Sequence, residues 1–227
     1  MIEFVFLDLD DTVLDFGATE RKGIEQIFHA VGIEPTEELF QRYRQINRAH
    51  WLMLERGEIT RDQISRRFDV LFAELGIPVS TPECERMFRQ ALTNGDDVLP
   101  GAARALQALS KKYRLFAATN STVDVQHGRL ARTGLRPYFE DLFISEAIGA
   151  FKPSRIFFEH AFAAIPGFDP QKAIMVGDNL TSDIQGGINA GILTCWVNPQ
   201  HRPNTTDIQP HYEIEALPQL EALLECL

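Results

Sequence analysis

Apolar residues fall into two alternating patterns along this chain. Short, nearly unbroken apolar runs occur at Ile2–Leu7, Arg114–Ala118, Asp141–Ser145, Ala173–Val176 and Leu193–Val197, with His211–Ile214 as a short late candidate. Runs of this length, rich in β-branched and aromatic residues and bounded by polar turns, predict strands buried on both faces of a parallel sheet. Between them the apolar positions take helical spacing. Helices are predicted at Ala102–Lys112, at Val123–Thr133 ahead of Gly134, at Ser154–Ala164 with Pro153 suited to a first turn, and at Ser182–Ala190 ahead of Gly191. Strand and helix in alternation predict an α/β fold, a doubly wound (Rossmann-like) and mostly parallel sheet. Such sheets place ligands beyond the carboxyl ends of their strands.

Residues 16–95 break the alternation. Ile64, Phe68, Leu71, Phe72 and Leu75 share one helical face, and Leu39, Tyr43, Ile46, His50 and Leu54 trace another. Thr60 with Gln63 has the spacing of a capping box at the start of the first of these helices. The expected organisation is a core formed by residues 1–15 and 96–227, with an all-helical domain inserted at 16–95. No internal repeat or low-complexity tract interrupts it.

Composition narrows the partners. Lys and Arg total 22 against 32 Asp and Glu, a formal charge of −10, which disfavours a nucleic acid polymer because a polyanion needs a basic face. A small phosphorylated metabolite stays compatible, since one metal ion or one lysine reverses the field locally. Cys84, Cys195 and Cys226 form neither a CxxC pair nor a zinc spacing, and the six histidines are scattered. The amino-terminal apolar run has no basic flank or cleavage site and is too short to span a bilayer. The expectation is a cytoplasmic protein with no membrane partner; nothing in the chain fixes an oligomeric state.

The chemistry begins at "VFLDLDDTVLD", residues 5–15, where a buried strand runs into Asp8, Asp10 and Asp11. Residues i and i+2 project to one side, so Asp8 and Asp10 are expected to face one pocket while Leu9 turns into the core. Two carboxylates that close repel, and a bound cation relieves the repulsion. All-oxygen ligands select Mg²⁺. A carboxylate beside the ion stays charged and can act as a nucleophile, and a second can protonate a leaving oxygen. The same residues also suit an ordinary turn, so the other strand ends decide.

Thr119-Asn120-Ser121 follows the second strand, a hydroxyl, an amide and turn N–H groups suited to phosphoryl oxygens. Gly177-Asp178-Asn179 follows the fourth, with Asp183 beyond it, and Lys152-Pro153 lies in the loop after the third. Each has a plain structural alternative: a helix cap, a first-turn acid, a solvated lysine. Their common placement past strand ends does not.

In that order, "DLDDT", "TNS", "KP" and "GDNLTSD" resemble the motifs of the haloacid dehalogenase-like hydrolase superfamily. The resemblance spans the whole chain, including a helical cap inserted after the first strand. It implies Asp8 as nucleophile, Asp10 as general acid and base, Thr119 binding the phosphoryl group, and Lys152 orienting both nucleophile and phosphate; Asn120 joins Thr119 as a substrate-binding candidate on the strength of its amide alone. It implies Mg²⁺, with Mn²⁺ as a substitute, held by Asp8, the Asp10 backbone carbonyl and Asp178, with Asp183 in support. The reaction implied is hydrolysis of a phosphate monoester through an aspartyl-phosphate. The dehalogenases of the superfamily lack a carboxylate at the position of Asp10, which counts against that activity here. A phosphomutase shares the catalytic set, and a non-catalytic binding protein would not be expected to keep all of it.

The stretches "AIGAFKPSRIFF" and "VGDNLTSDIQGGINAGI" are similar to the nucleoside monophosphate phosphatases of the superfamily, with the pyrimidine 5′-nucleotidases nearest. A sugar phosphate or phosphoglycolate is the alternative substrate. In the inserted domain Trp51, beside the His50 and Leu54 stripe, is the first candidate for substrate contact; its other aromatics read as core.

Overall fold

The computed structural model describes residues 1–227, the side chain of residue 55 excepted. The chain divides into two compact units, Met1–Phe16 with Asp96–Leu227, and Gly17–Gly95. The first is built on six strands: β1 (Phe4–Leu7), β2 (Arg114–Thr119), β3 (Asp141–Ile144), β4 (Ala173–Gly177), β5 (Leu193–Val197) and β6 (Tyr212–Ile214). They form one parallel sheet in the order β3-β2-β1-β4-β5-β6. The chain builds outward from β1 to β3, then returns to lay β4 on the other side of β1. The crevice at that switch, beyond the carboxyl ends of β1 and β4, is where such a sheet leaves room for a ligand.

The helices of the second unit are α1 (Phe16–Ala30, whose first residue belongs to the first unit), α2 (Glu37–Glu55), α3 (Arg66–Glu74) and α4 (Thr81–Thr93). Their apolar faces enclose a separate core around Ile24, Phe28, Tyr43, Phe68, Phe72 and Phe88. The rings of Tyr43 and Phe68 stack at 5.9 Å, and Phe88 meets each of them edge-on or nearly so. Thr60 and Gln63 do pair, the Thr60 N–H donating to Gln63 Oε1 at 2.9 Å. The turn they open is the 3₁₀ segment Arg61–Ser65, and α3 starts only after it, so the expected single helix is broken in two.

Six further helices complete the first unit: α5 (Ala102–Leu109), α6 (Val123–Thr133), α7 (Ser145–Ile148), α8 (Arg155–Ala164), α9 (Gln185–Ala190) and α10 (Leu220–Glu225). Period-two alternation divides the sheet into two chemically different faces. Val5, Leu7, Leu115, Ala117, Ile174 and Val176 pack aliphatic surface against α5, Leu130 of α6 and α10. Phe4, Phe6, Phe116 and Phe143 turn the other way, against Phe157 and Phe158 of α8. Fully burying each such ring contributes roughly 1.5–3 kcal/mol. Helix α9 lies close on this aromatic face because Gly187 has no Cβ; one would stand 2.5 Å from Thr194 Cγ2.

Several expected boundaries move for identifiable reasons. Pro153 does not enter α8, because Ser154 is the cap, its hydroxyl accepting from the Ile156 N–H at 3.3 Å. Ser145, expected to end β3, instead opens α7. Helix α5 stops three residues short of Lys112. The helix expected from Ser182 is preceded by a π-helical turn, Leu180–Ile184, before α9 begins. No helix is long and apolar enough to cross a membrane among the described residues.

Candidate active site at the carboxyl ends of the central strands

Neighbouring strand ends bring the acids together. Asp8 leaves β1 beside β4, its N–H donating to the Val176 carbonyl at 2.9 Å, while Leu9 is buried in the aliphatic core. Asp178 follows directly on β4. Asp183 sits in the π-helical turn, where its Oδ2 accepts from the Asn179 N–H at 3.1 Å. Its closeness to β4 depends on Gly177, since a Cβ there would lie 2.2 Å from Asp183 Oδ2.

Lys152 binds two of these acids at once. Its Nζ donates to Asp8 Oδ1 at 2.8 Å, to Asp183 Oδ1 at 2.6 Å and to the Ala118 carbonyl at 2.5 Å, which uses all three ammonium donors. The side chain is 1% exposed. Asn120 fixes the lysine main chain from the end of β2: its Oδ1 accepts from the Lys152 N–H at 2.8 Å and its Nδ2 donates to the Lys152 carbonyl at 2.9 Å. Both ends of that amide are therefore engaged in holding Lys152.

One lysine does not neutralise this crowd. Single carboxylate oxygens of Asp8, Asp178 and Asp183 lie within 4.8 Å of one another. Burial pushes Asp8 up to about 8, against the pull of Lys152 and with further repulsion from Asp183 and Asp10. Burial, then the charges of Asp183, Asp8 and Asp11, hold Asp178 well above the usual carboxylate range, with Arg202 opposing at 3.9 Å. Burial alone would lower Lys152, but Asp183 and Asp8 more than reverse it and keep it a cation. Carboxylates this reluctant to ionise, with only oxygen donors around them, fit a hard divalent ion. Asp8 and Asp178 would be its ligands, Asp183 being already held by Lys152 and Asn179. The backbone at Asp178 is fixed by Trp196, whose Nε1–H donates to its carbonyl at 2.9 Å.

Asp10 points elsewhere. Its Oδ2 accepts from Gln126 Nε2 at 2.9 Å and its Oδ1 from Arg129, both on α6, so its carboxylate stands outside the acidic cluster. Gln126 Nε2 also reaches Oγ1 of Thr119, the buried last residue of β2, at 3.4 Å. Gln126 and Arg129 were missed in the sequence. A signal existed: they lie between Val125 and Leu130 on the inward face of α6, polar residues at positions that the helical period assigns to the core. Asp11 serves the turn, with φ of 59° and Oδ1 accepting from the Phe16 N–H at 3.0 Å. Trp51 belongs to the helical unit, on α2, where the Arg61 guanidinium lies 5.5 Å from its ring centre.

A parallel sheet with carboxylates and a buried lysine at the ends of its central strands defines a class of hydrolase. Residues 2–191 match the family model for haloacid dehalogenase-like hydrolases, and the chain belongs to that family. It is 38% identical to the pyrimidine 5′-nucleotidase PynA of Streptococcus pneumoniae, covering 99% of this chain and 94% of that protein. It is 35% identical to the pyrimidine 5′-nucleotidase YjjG of Escherichia coli, covering 98% and 97%. Among solved structures it is similar to YfnB of Bacillus subtilis bound to magnesium, at 36% identity, 98% of each chain and a TM-score of 0.94. The L-2-haloacid dehalogenase of Xanthobacter autotrophicus shares the fold, with a TM-score of 0.81 at 20% identity.

Proposed function

We propose that this protein is a Mg²⁺-dependent phosphatase acting on small phosphate monoesters, with nucleoside 5′-monophosphates of pyrimidines as its substrates. The observation that carries the chemistry is the Lys152 ammonium bridging Asp8 and Asp183 beside Asp178. The nucleotide assignment rests on the likeness to PynA and YjjG over nearly the whole chain.

In this reading Asp8 attacks phosphorus, forming an O–P bond as the ester P–O bond breaks, and the departing oxygen takes its proton from Asp10. Water then attacks the same phosphorus, giving its proton to Asp10, and the acyl-phosphate bond to Asp8 breaks to release phosphate. The main obstacle is the approach of one anion to another. Lys152 lowers it by holding Asp8 Oδ1 in place and balancing its charge. Asp8 and Asp178 would hold a divalent ion, which would supply further charge neutralisation. Thr119 Oγ1 and the turn N–H groups after β2 hold the phosphoryl oxygens, and Asn120 contributes by fixing Lys152. Substrate choice is assigned to the helical unit, with Trp51 as the side chain to change first.

The test is phosphate release over a panel of nucleoside monophosphates and sugar phosphates, with and without Mg²⁺, comparing the wild type with Asp8→Asn. Asp8→Asn should lower kcat by at least ~10³-fold. Retained turnover would refute the nucleophile. A wild type that prefers sugar phosphates would remove the nucleotide assignment and leave the chemistry standing.

A further inference from the structure

We infer that Gln126 and Arg129 are positioning residues for Asp10, an inference that rests on the acid–base role proposed above for that carboxylate. The Arg129 side chain is 0% exposed, and a buried permanent cation persists only against a counter-charge. The Asp10 carboxylate supplies one, although Asp10 itself is 27% exposed. The two Asp10 oxygens are held separately, Oδ1 by Arg129 and Oδ2 by Gln126. A carboxyl group gripped through both oxygens from one helix loses its rotational freedom, and the second lone pair of each oxygen stays available for the proton it gives to the leaving oxygen and takes back from water.

The Gln126 amide also reaches Thr119 Oγ1 with the same nitrogen. It therefore ties the acid–base carboxylate beyond β1 to the hydroxyl assigned to the phosphoryl group at the end of β2. Its own Oε1 is buried without a hydrogen-bond partner. Turning the amide over would set that oxygen against Asp10 Oδ2, acceptor against acceptor, so the contact with Asp10 selects the donor orientation. A residue serving only to pack this face would be apolar, like Val125 and Leu130 beside it. An unpaired buried acceptor is a cost the fold carries, and such costs concentrate at functional positions. Helix α6 is thus part of the acid–base apparatus, fixing where the Asp10 carboxylate stands and linking it through Gln126 to the Thr119 hydroxyl.

The experiment compares Gln126→Met and Arg129→Lys with the wild type, after confirming an unchanged circular-dichroism spectrum, on an alkyl phosphate and on 4-nitrophenyl phosphate. An alkoxide needs a proton to leave and 4-nitrophenolate does not. The variants should lose on the order of 10–100-fold in kcat/KM on the alkyl ester and less than about threefold on the aryl ester. In an Asp10→Asn background neither substitution should lower the residual turnover of either ester further. Equal losses on both esters, or added losses in that background, would overturn the inference. Should Gln126→Met not fold, Gln126→Asn carries the same expectation, because the shorter amide cannot reach Asp10. Failure of the wild type on both esters would instead defeat the proposed function, so the two failures are distinguishable.

Discussion

Two cation–carboxylate contacts in this protein have almost the same lengths and very different meanings. Lys152 reaches Asp8 at 2.8 Å and Asp183 at 2.6 Å. In the helical unit, Arg42 reaches Glu74 through two nitrogens at 2.5 and 2.7 Å. By distance and geometry the second is the better ion pair. Yet the Arg42 and Glu74 side chains are 46% and 40% exposed, and water screens both whether or not they meet. Lys152 and Asp183 are each 1% exposed, so both have given up hydration and depend on the contacts the fold supplies. Bond length alone does not separate a working charge from a solubilising one. The separation comes from how much hydration the fold has given up, and buried acids that outnumber the one buried lysine among them mark the candidate site.

The largest effect should come from Lys152→Met. It removes the one ammonium that bridges Asp8 and Asp183 and leaves two buried acids facing each other. Unfolding free energy in denaturant should drop by about 3–5 kcal/mol at neutral pH, with turnover lost. If Lys152→Met unfolds at the wild-type denaturant midpoint, burial is not what distinguishes the two contacts.

A smaller effect sharpens the contrast through pH. The Asp8 pKa is raised from 3.8 to about 8 in the folded chain, and that of Asp178 moves in the same direction. In the metal-free protein each group then contributes stability that is fully present below the unfolded pKa. For Asp8 that contribution is lost as pH rises from about 3.8 through about 8. A divalent ion must displace these protons, so its apparent affinity should rise with pH, up to ~10-fold per unit for each proton displaced. Thermal unfolding at pH 6 and pH 8 should therefore show a larger Mg²⁺-induced rise in Tm at pH 8. An equal rise at both would mean that the acids at the strand ends carry no excess proton. Exposed pairs such as Arg42 with Glu74 should show no such linkage.

The contrast also explains what could be read from the chain alone. Asp8, Lys152, Asp178 and Asp183 could be picked out because each stands just past a short apolar run or in the loop after one, where a charged residue needs a reason. Gln126 and Arg129 lie inside a helix, where Val125 and Leu130 hint at their face but two apolar residues do not fix it. Their burial depends on which face of α6 meets the sheet, a fact of tertiary packing. The inner strands β1, β2, β4 and β5 were legible from apolar runs that the sheet buries on both faces, while the edge strands β3 and β6 are buried only in part. Local hydrogen bonds overrode the pattern at element ends: Asn179 Oδ1 accepts from the N–H groups of Thr181 and Ser182 and starts the π-helical turn early. In the same way the Ser154 hydroxyl, rather than Pro153, sets where α8 begins. Such competitions are settled by a few ångströms of side-chain reach that no periodicity encodes.

The smallest predicted effect is the most direct way to break the comparison. Arg42→Ala removes a bidentate contact to Glu74 and a hydrogen bond to Gln45 at 3.1 Å. Both pair members are exposed, so each recovers its water when the other is removed, and the ordered side chains regain rotamer freedom. The midpoint of thermal unfolding should not move measurably, and added salt should leave wild type and variant equally unaffected relative to each other. Lys152→Met, by contrast, has no water to recover. A destabilisation by Arg42→Ala approaching that of Lys152→Met would mean that contact geometry outweighs burial here, and the reading of the Lys152 cluster as a working charge would lose its physical basis.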